Sequence, residues 1–145
     1  MAAIEITTAP TISAQPLNTQ TVCVDGTLTP LSVNYTNGSG TPQYHWYSNS
    51  QNSYIGGVAI PGETNSTYTP STANTGTIYY YCNISFTQSG CSSISSNISQ
   101  VIVVADPVIT TNPLATQTIC SGGTIPAALS VAYQYGTGNV SYQWY

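Results

Sequence analysis

Short runs of alternating apolar and polar residues fill the chain, and Gly, Pro or Asn closes each one. A period of two is the mark of strands with one buried face. No stretch carries apolar residues at the i, i+3, i+4, i+7 spacing of a helix. Residues 10–15 and 19–24 read as one strand in two pieces, kinked near Pro16. The second strand spans 28–35, with Leu31 and Val33 facing inward. After a loop over 37–42, the third strand covers 43–49, with Tyr44 and Trp46 on one face and His45 and Tyr47 on the other. A turn and short strand follow at 54–62, another strand at 66–71, and a turn at 74–76. The last two strands are expected at 77–87 and 96–105.

Seven strands in under a hundred residues predict an all-β fold, an immunoglobulin-like β-sandwich. The stretch TIYYYCNISF is the clearest case of alternation. Ile78, Tyr80, Cys82, Ile84 and Phe86 share one face, and the isoleucines make that face the core. Tyr79, Tyr81, Asn83 and Ser85 then point outward. Val33 lies 13 residues before Trp46, a spacing that sets a second-strand residue against the third-strand tryptophan. Val33, Trp46, Tyr80 and Cys82 are therefore the expected core markers.

The same pattern recurs further along. Residues 10–23 and 107–120 are identical at eight of fourteen positions, at an offset of 97. Residues 31–47 match 129–145 at an offset of 98, so one residue has been inserted near Pro126. The organisation expected is a lead-in at 1–9, one complete repeat at 10–106, and the first three strands of a second repeat at 107–145. Half a sandwich would expose its core face. The chain thus reads as part of a longer tandem array, with strand exchange between molecules as the alternative.

Composition narrows the roles. The chain has no Lys or Arg and a net charge of −4. Phosphate binding draws on Lys and Arg, so nucleic acid is not an expected partner, and anionic membrane surfaces are disfavoured for the same reason. No apolar run approaches the roughly 20 residues of a membrane-spanning helix, so direct membrane insertion is not expected. The N-terminal MAAIEITTAP lacks the basic start and apolar stretch of a signal peptide; a secreted protein would carry its signal upstream. A chain without Lys or Arg also offers trypsin no site, which suits life among extracellular proteases.

Candidate chemistry is sparse. Glu5, Asp25, Glu63 and Asp106 are scattered over termini and turns, and no two are spaced as an acid/base pair. His45 is the only histidine and its repeat equivalent is Gln143. Neither a catalytic site, a metal site nor a cofactor is expected. The outward residues His45, Tyr47, Tyr79 and Tyr81 form a candidate binding patch, with Gln43 and Asn83 supplying amides. Aromatic faces with amides suit glycans or a second copy of the same rod, although tyrosines also pair well across a solvated sheet.

The combination of TQTVCVDG with TQTICSGG, YHWY with YQWY, then IYYYCNIS and SGCSSISSN resembles immunoglobulin-like repeats of giant surface proteins of Bacteroidetes, including SprB-type gliding-motility adhesins. The resemblance spans essentially the whole chain. It implies export by type IX secretion, cell-surface display, often as filaments, and a structural or adhesive role. The partners it implies are neighbouring repeats, surface glycans or other filaments. A carbohydrate-binding module of a secreted protein is the competing reading.

Four cysteines, Cys23, Cys82, Cys91 and Cys120, are disulfide candidates, and Cys120 is the repeat equivalent of Cys23. Related two-cysteine repeats pair the positions of Cys23 and Cys91. The strand order, however, sets those two at opposite ends of one sandwich, and a bridge needs Cα atoms within about 7 Å. Three pairings stay open: a bridge between neighbouring units, Cys82 with Cys23, or Cys82 with Cys91. Cys82 as a buried free thiol is a further option.

Overall fold

The structure, a computed structural model, describes residues 6–87 and 91–145. The first five residues of the lead-in, Glu5 among them, lie outside it. Among the described residues there is no helix. In chain order the first unit contains β1 (Thr11–Ala14), β2 (Thr19–Cys23), β3 (Leu31–Ser32), β4 (Asn34–Thr36), β5 (Thr41–Asn49) and β6 (Val58–Ala59). It continues with β7 (Thr67–Tyr68), β8 (Gly76–Thr87), β9 (Ile94–Ser95) and β10 (Ser99–Val104).

These strands make an immunoglobulin-like β-sandwich. One sheet runs β2-β10-β8-β5-β6, with β9 also on β8; the facing layer consists of the pairs β1-β4 and β3-β7. The kink expected near Pro16 is where the first strand changes layers. β1 pairs antiparallel with β4, whereas β2 pairs in parallel with β10. Pro16 has no N–H to give to a ladder, and the crossing is fixed by the Ser99 hydroxyl, which donates to the Leu17 carbonyl.

The core lies where the alternation puts it. Leu28, Leu31, Val33, Trp46, Tyr80, Cys82, Ile84, Val101 and Val103 are all buried in one cluster. Trp46 satisfies its indole N–H by donating to the Asn65 carbonyl at 2.8 Å. Tyr68 packs against both Trp46 and Tyr80, with ring centroids 5.8 and 5.6 Å apart.

Two expectations about strands fail. Ile78 shares the inward face of β8 yet is 42% exposed, because it stands near the start of the strand, where the facing layer no longer covers the sheet. The strand expected at 96–105 is shortened to β10, and β9 pairs with β8 just ahead of it. Residue pairs with β8 shift from Ser95↔Asn83 to Ser99↔Tyr80, so one extra residue is accommodated between them as a bulge. Ser96 fills the break between β9 and β10. Its backbone N–H donates to the Cys82 carbonyl at 2.8 Å, and its hydroxyl oxygen accepts from the Cys82 N–H at 3.0 Å.

Residues 107–145 repeat part of the start of the first unit, but the segments equivalent to β2, β3 and β5 form no strand there, so the third strand expected in this segment is absent among the described residues. β11 (Val108–Thr111) pairs with β12 (Ala132–Gln134) in the register of β1 with β4, down to the same irregularity. Gln20 clasps Thr29 with its side-chain amide, donating to the carbonyl and accepting from the N–H, both at 2.9 Å. Gln117 clasps Ala127 in the same way. Asn37 and Tyr135 share a left-handed φ of 63° and 65°, each before a glycine that turns the chain. What differs is cover. Leu31 and Trp46 are 0% exposed, but their equivalents Leu129 and Trp144 are 51% and 50% exposed.

Candidate functional site

The β5–β8 ladder sets Tyr47 opposite Tyr81, His45 opposite Asn83 and Asn49 opposite Tyr79. His45 is exposed, as expected. Tyr79 is half-buried and turns toward β10, where its hydroxyl accepts from the Gln100 side-chain amide at 3.2 Å.

The expectation that Tyr81 is exposed is overturned. It points away from the sandwich core, but it is only 7% exposed, because the segment between β5 and β6 folds over it. Tyr47 stacks on one side of its ring, with centroids 5.0 Å apart and planes 6° from parallel. Tyr54 meets it edge-on, also at 5.0 Å. The Tyr81 hydroxyl donates to the Tyr54 carbonyl at 3.1 Å, and the Tyr54 hydroxyl donates to the Ser96 carbonyl at 3.0 Å. Asn49 shapes the covering segment by donating to the carbonyls of Ser53 and Ile55, at 2.7 and 3.0 Å. Gly57 completes the lid: a Cβ there would lie 2.3 Å from the Tyr81 hydroxyl.

Sequence reasoning missed Tyr54. Its signal was a tyrosine followed closely by Gly56-Gly57, a turn tight enough to fold back over a neighbour. What remains open is a shallow hollow of about 360 Å³ lined by Tyr47, Tyr54, Tyr81, Asn83 and Ser95. Two of its three tyrosine hydroxyls already donate to the backbone. Burial, with Tyr47 and Tyr54 alongside, raises the Tyr81 pKa above the ordinary phenol value, so this phenol is a fixed donor at neutral pH.

The cysteines are spread along the unit. Cys82 is fully buried, and burial pushes its thiol up to about 11. A protonated, enclosed thiol is neither a nucleophile nor a metal ligand. Cys23 is registered with Val104, and Val103 with Gly76. Cys82 lies six residues beyond Gly76, roughly 20 Å along the strand. That separation from Cys23 exceeds disulfide reach, and Cys82 is a free, buried thiol. Cys91 precedes β9, whose Ile94 pairs with Ile84. Cys91 lies at the N-terminal end, its sulfur 4.0 Å from the Thr7 hydroxyl.

Among the described residues no three His, Cys, Asp or Glu side chains converge on a point that could hold a metal ion. Asp25, Glu63 and Asp106 stand apart in turns and at the junction of the two units.

No curated protein matches the chain. Among solved structures it is similar to Sidekick-1 immunoglobulin domains 1-5, with a TM-score of 0.50 and 21% identity over 76% of this chain. The chain covers 22% of that structure's length. The likeness is one of fold. Residues 8–105 match the family model described as Domain of unknown function (DUF8696), and the chain belongs to that family.

Proposed function

We propose that the chain is a structural and adhesive repeat of a long cell-surface adhesin, displayed outside the cell and acting as a stiff spacer. The observation that carries this reading is the repeat itself: residues 107–145 rebuild the opening ladder and clasp of the first unit. A sandwich with three residues between its last strand, ending at Val104, and the next, beginning at Val108, is built to be strung in series. The immunoglobulin-like fold and the absence of Lys and Arg support an extracellular role. The resemblance to surface repeats of Bacteroidetes supports display after type IX secretion, in filaments that serve attachment during gliding. The reading assigns no catalysis. Its partners are neighbouring units, with surface glycans or other filaments held through many weak contacts in parallel.

Antibodies raised against residues 10–106 should label intact, unpermeabilised cells, and removing the parent protein should reduce attachment to surfaces. Labelling confined to permeabilised cells would contradict the proposal. A specific hit for the isolated unit on a glycan array, in a parent with an adjoining catalytic domain, would favour the carbohydrate-binding module instead.

A further inference from the structure

In the first unit, β8 closes the sandwich over β1 and β4. Phe86 meets Tyr35 edge-on at 5.1 Å, and a Cβ on Gly38 would stand 3.0 Å from Pro10 and 3.5 Å from the Phe86 ring. The second unit keeps this seat: a Cβ on Gly136 would stand 3.1 Å from Pro107. Pro107, Tyr133 and Gly136 line an open groove where the first unit has Phe86. Cys23 of the first unit stands in the wall of that same groove.

Repeat symmetry says what reaches Cys23 when the groove is filled. Cys91 touches Thr7. The offset of 97 makes Val104 the second unit's counterpart of Thr7. The next residue verifies the match: Gly38 N–H donates to the Thr8 carbonyl at 2.9 Å, and Gly136 N–H to the Ala105 carbonyl at 3.0 Å. Val104 is the ladder partner of Cys23. Partners in a ladder share a face, and adjacent strands lie about 4.8 Å apart, so a cysteine set against Val104 as Cys91 is set against Thr7 would stand beside Cys23.

We infer that the groove seats a hairpin equivalent to β8–β10 from a following copy of the unit, and that this hairpin's counterpart of Cys91 forms a disulfide with Cys23 across the junction. The Cys23 thiolate attacks a disulfide oxidant and releases one of its thiols. The incoming cysteine's thiolate then attacks the mixed disulfide and releases the other. Two protons and two electrons leave the pair, and the oxidant is reduced to two thiols. The inference rests on the tandem part of the proposed function and not on adhesion.

The test extends the chain after Tyr145 with residues 48–106 of the same sequence, completing the second unit, and folds it with glutathione disulfide. Trp144 fluorescence should shift to the blue as the unit closes. Chymotryptic mapping without reductant should then find the Cys23 peptide joined to the peptide bearing the second copy of Cys91. Cys23→Ser should abolish that species without reversing the Trp144 shift. A Trp144 that stays solvent-exposed overturns the seating of the hairpin. A closed second unit in which Cys23 alkylates as fast as in the 145-residue chain overturns the bridge. Cell labelling and peptide mapping are independent readouts, so either proposal can fail alone.

Discussion

Tyr47 and Tyr81 lie face to face across the β5–β8 ladder, 5.0 Å apart and 6° from parallel. The pair is a buried joint under a folded segment, so truncating its inner member should cost much more than truncating its outer one. Tyr81→Ala is expected to lower unfolding free energy by about 3 kcal/mol, and Tyr47→Ala by about 1 kcal/mol. Urea melts of the two variants would check this; equal, small losses would mean that the joint contributes little.

Gly57 is required by the same joint, for lack of space. The Cβ of Gly57→Ala would meet the Tyr81 hydroxyl at 2.3 Å, and the displacement should cost about 1–3 kcal/mol. Removing that hydroxyl with Tyr81→Phe should recover part of the loss. A double-mutant cycle measures the coupling, and a coupling near zero would contradict the contact.

Ser96 repairs the break between β9 and β10 by accepting the Cys82 N–H. Ser96→Ala leaves that donor buried without its acceptor, and a loss of about 1–3 kcal/mol is expected. Hydrogen exchange at the Cys82 amide should accelerate with it. An unchanged rate would show that another acceptor serves as well.

Alkaline pH should loosen the fold through two core groups. Burial raises the Cys82 thiol to about 11 and the Tyr80 phenol to about 12, against 9.0 and 10.0 for the free groups. Both acids are charged when deprotonated, so the unfolded chain releases these protons first. Their contribution is complete below pH 9 and is lost as pH rises toward 12. Tm should fall steadily across that window, and Cys82→Ala should flatten the part below pH 11. Cys82 in the native chain should resist iodoacetamide at pH 8, while Cys120, exposed, reacts.

The clasp of Gln20 on Thr29 makes two hydrogen bonds at 2.9 Å. Gln20→Ala should cost about 1–2 kcal/mol. Gln117→Ala, on the uncovered second unit, should leave the main urea transition where it is.

Much of the fold was legible because alternation is local. Val33, Trp46, Tyr80 and Cys82 reach the core that their period of two assigns them, and Pro16 marks the change of layer. Alternation names a face but not what lies over it. Tyr81 has the outward phase and is buried, because cover comes from Tyr54 and Gly57, more than twenty residues earlier. Ile78 has the inward phase and is exposed, because the facing layer ends short of it. The bulge at Ser96 was hidden for the same reason: a hydroxyl standing in for a ladder partner has no periodic signature. Of the candidate patch, His45 lies exposed and Tyr47 half-buried on one face, while Tyr79 is drawn to Gln100 and Tyr81 is enclosed.

The parallel pairing of β2 with β10 has a mechanical meaning. In the array proposed above, a pull would load the unit through β2 in one direction and β10 in the other. Those two strands lie side by side, joined from Thr19 to Cys23 and from Gln100 to Val104. Tension therefore runs along the ladder and strains its hydrogen bonds together, as in a lap joint, whereas an antiparallel hairpin pulled at its ends would open one bond at a time. In such an array, the strand that leaves one layer at Pro16 would make the seam between the beginning and the end of the unit the part that bears the pull.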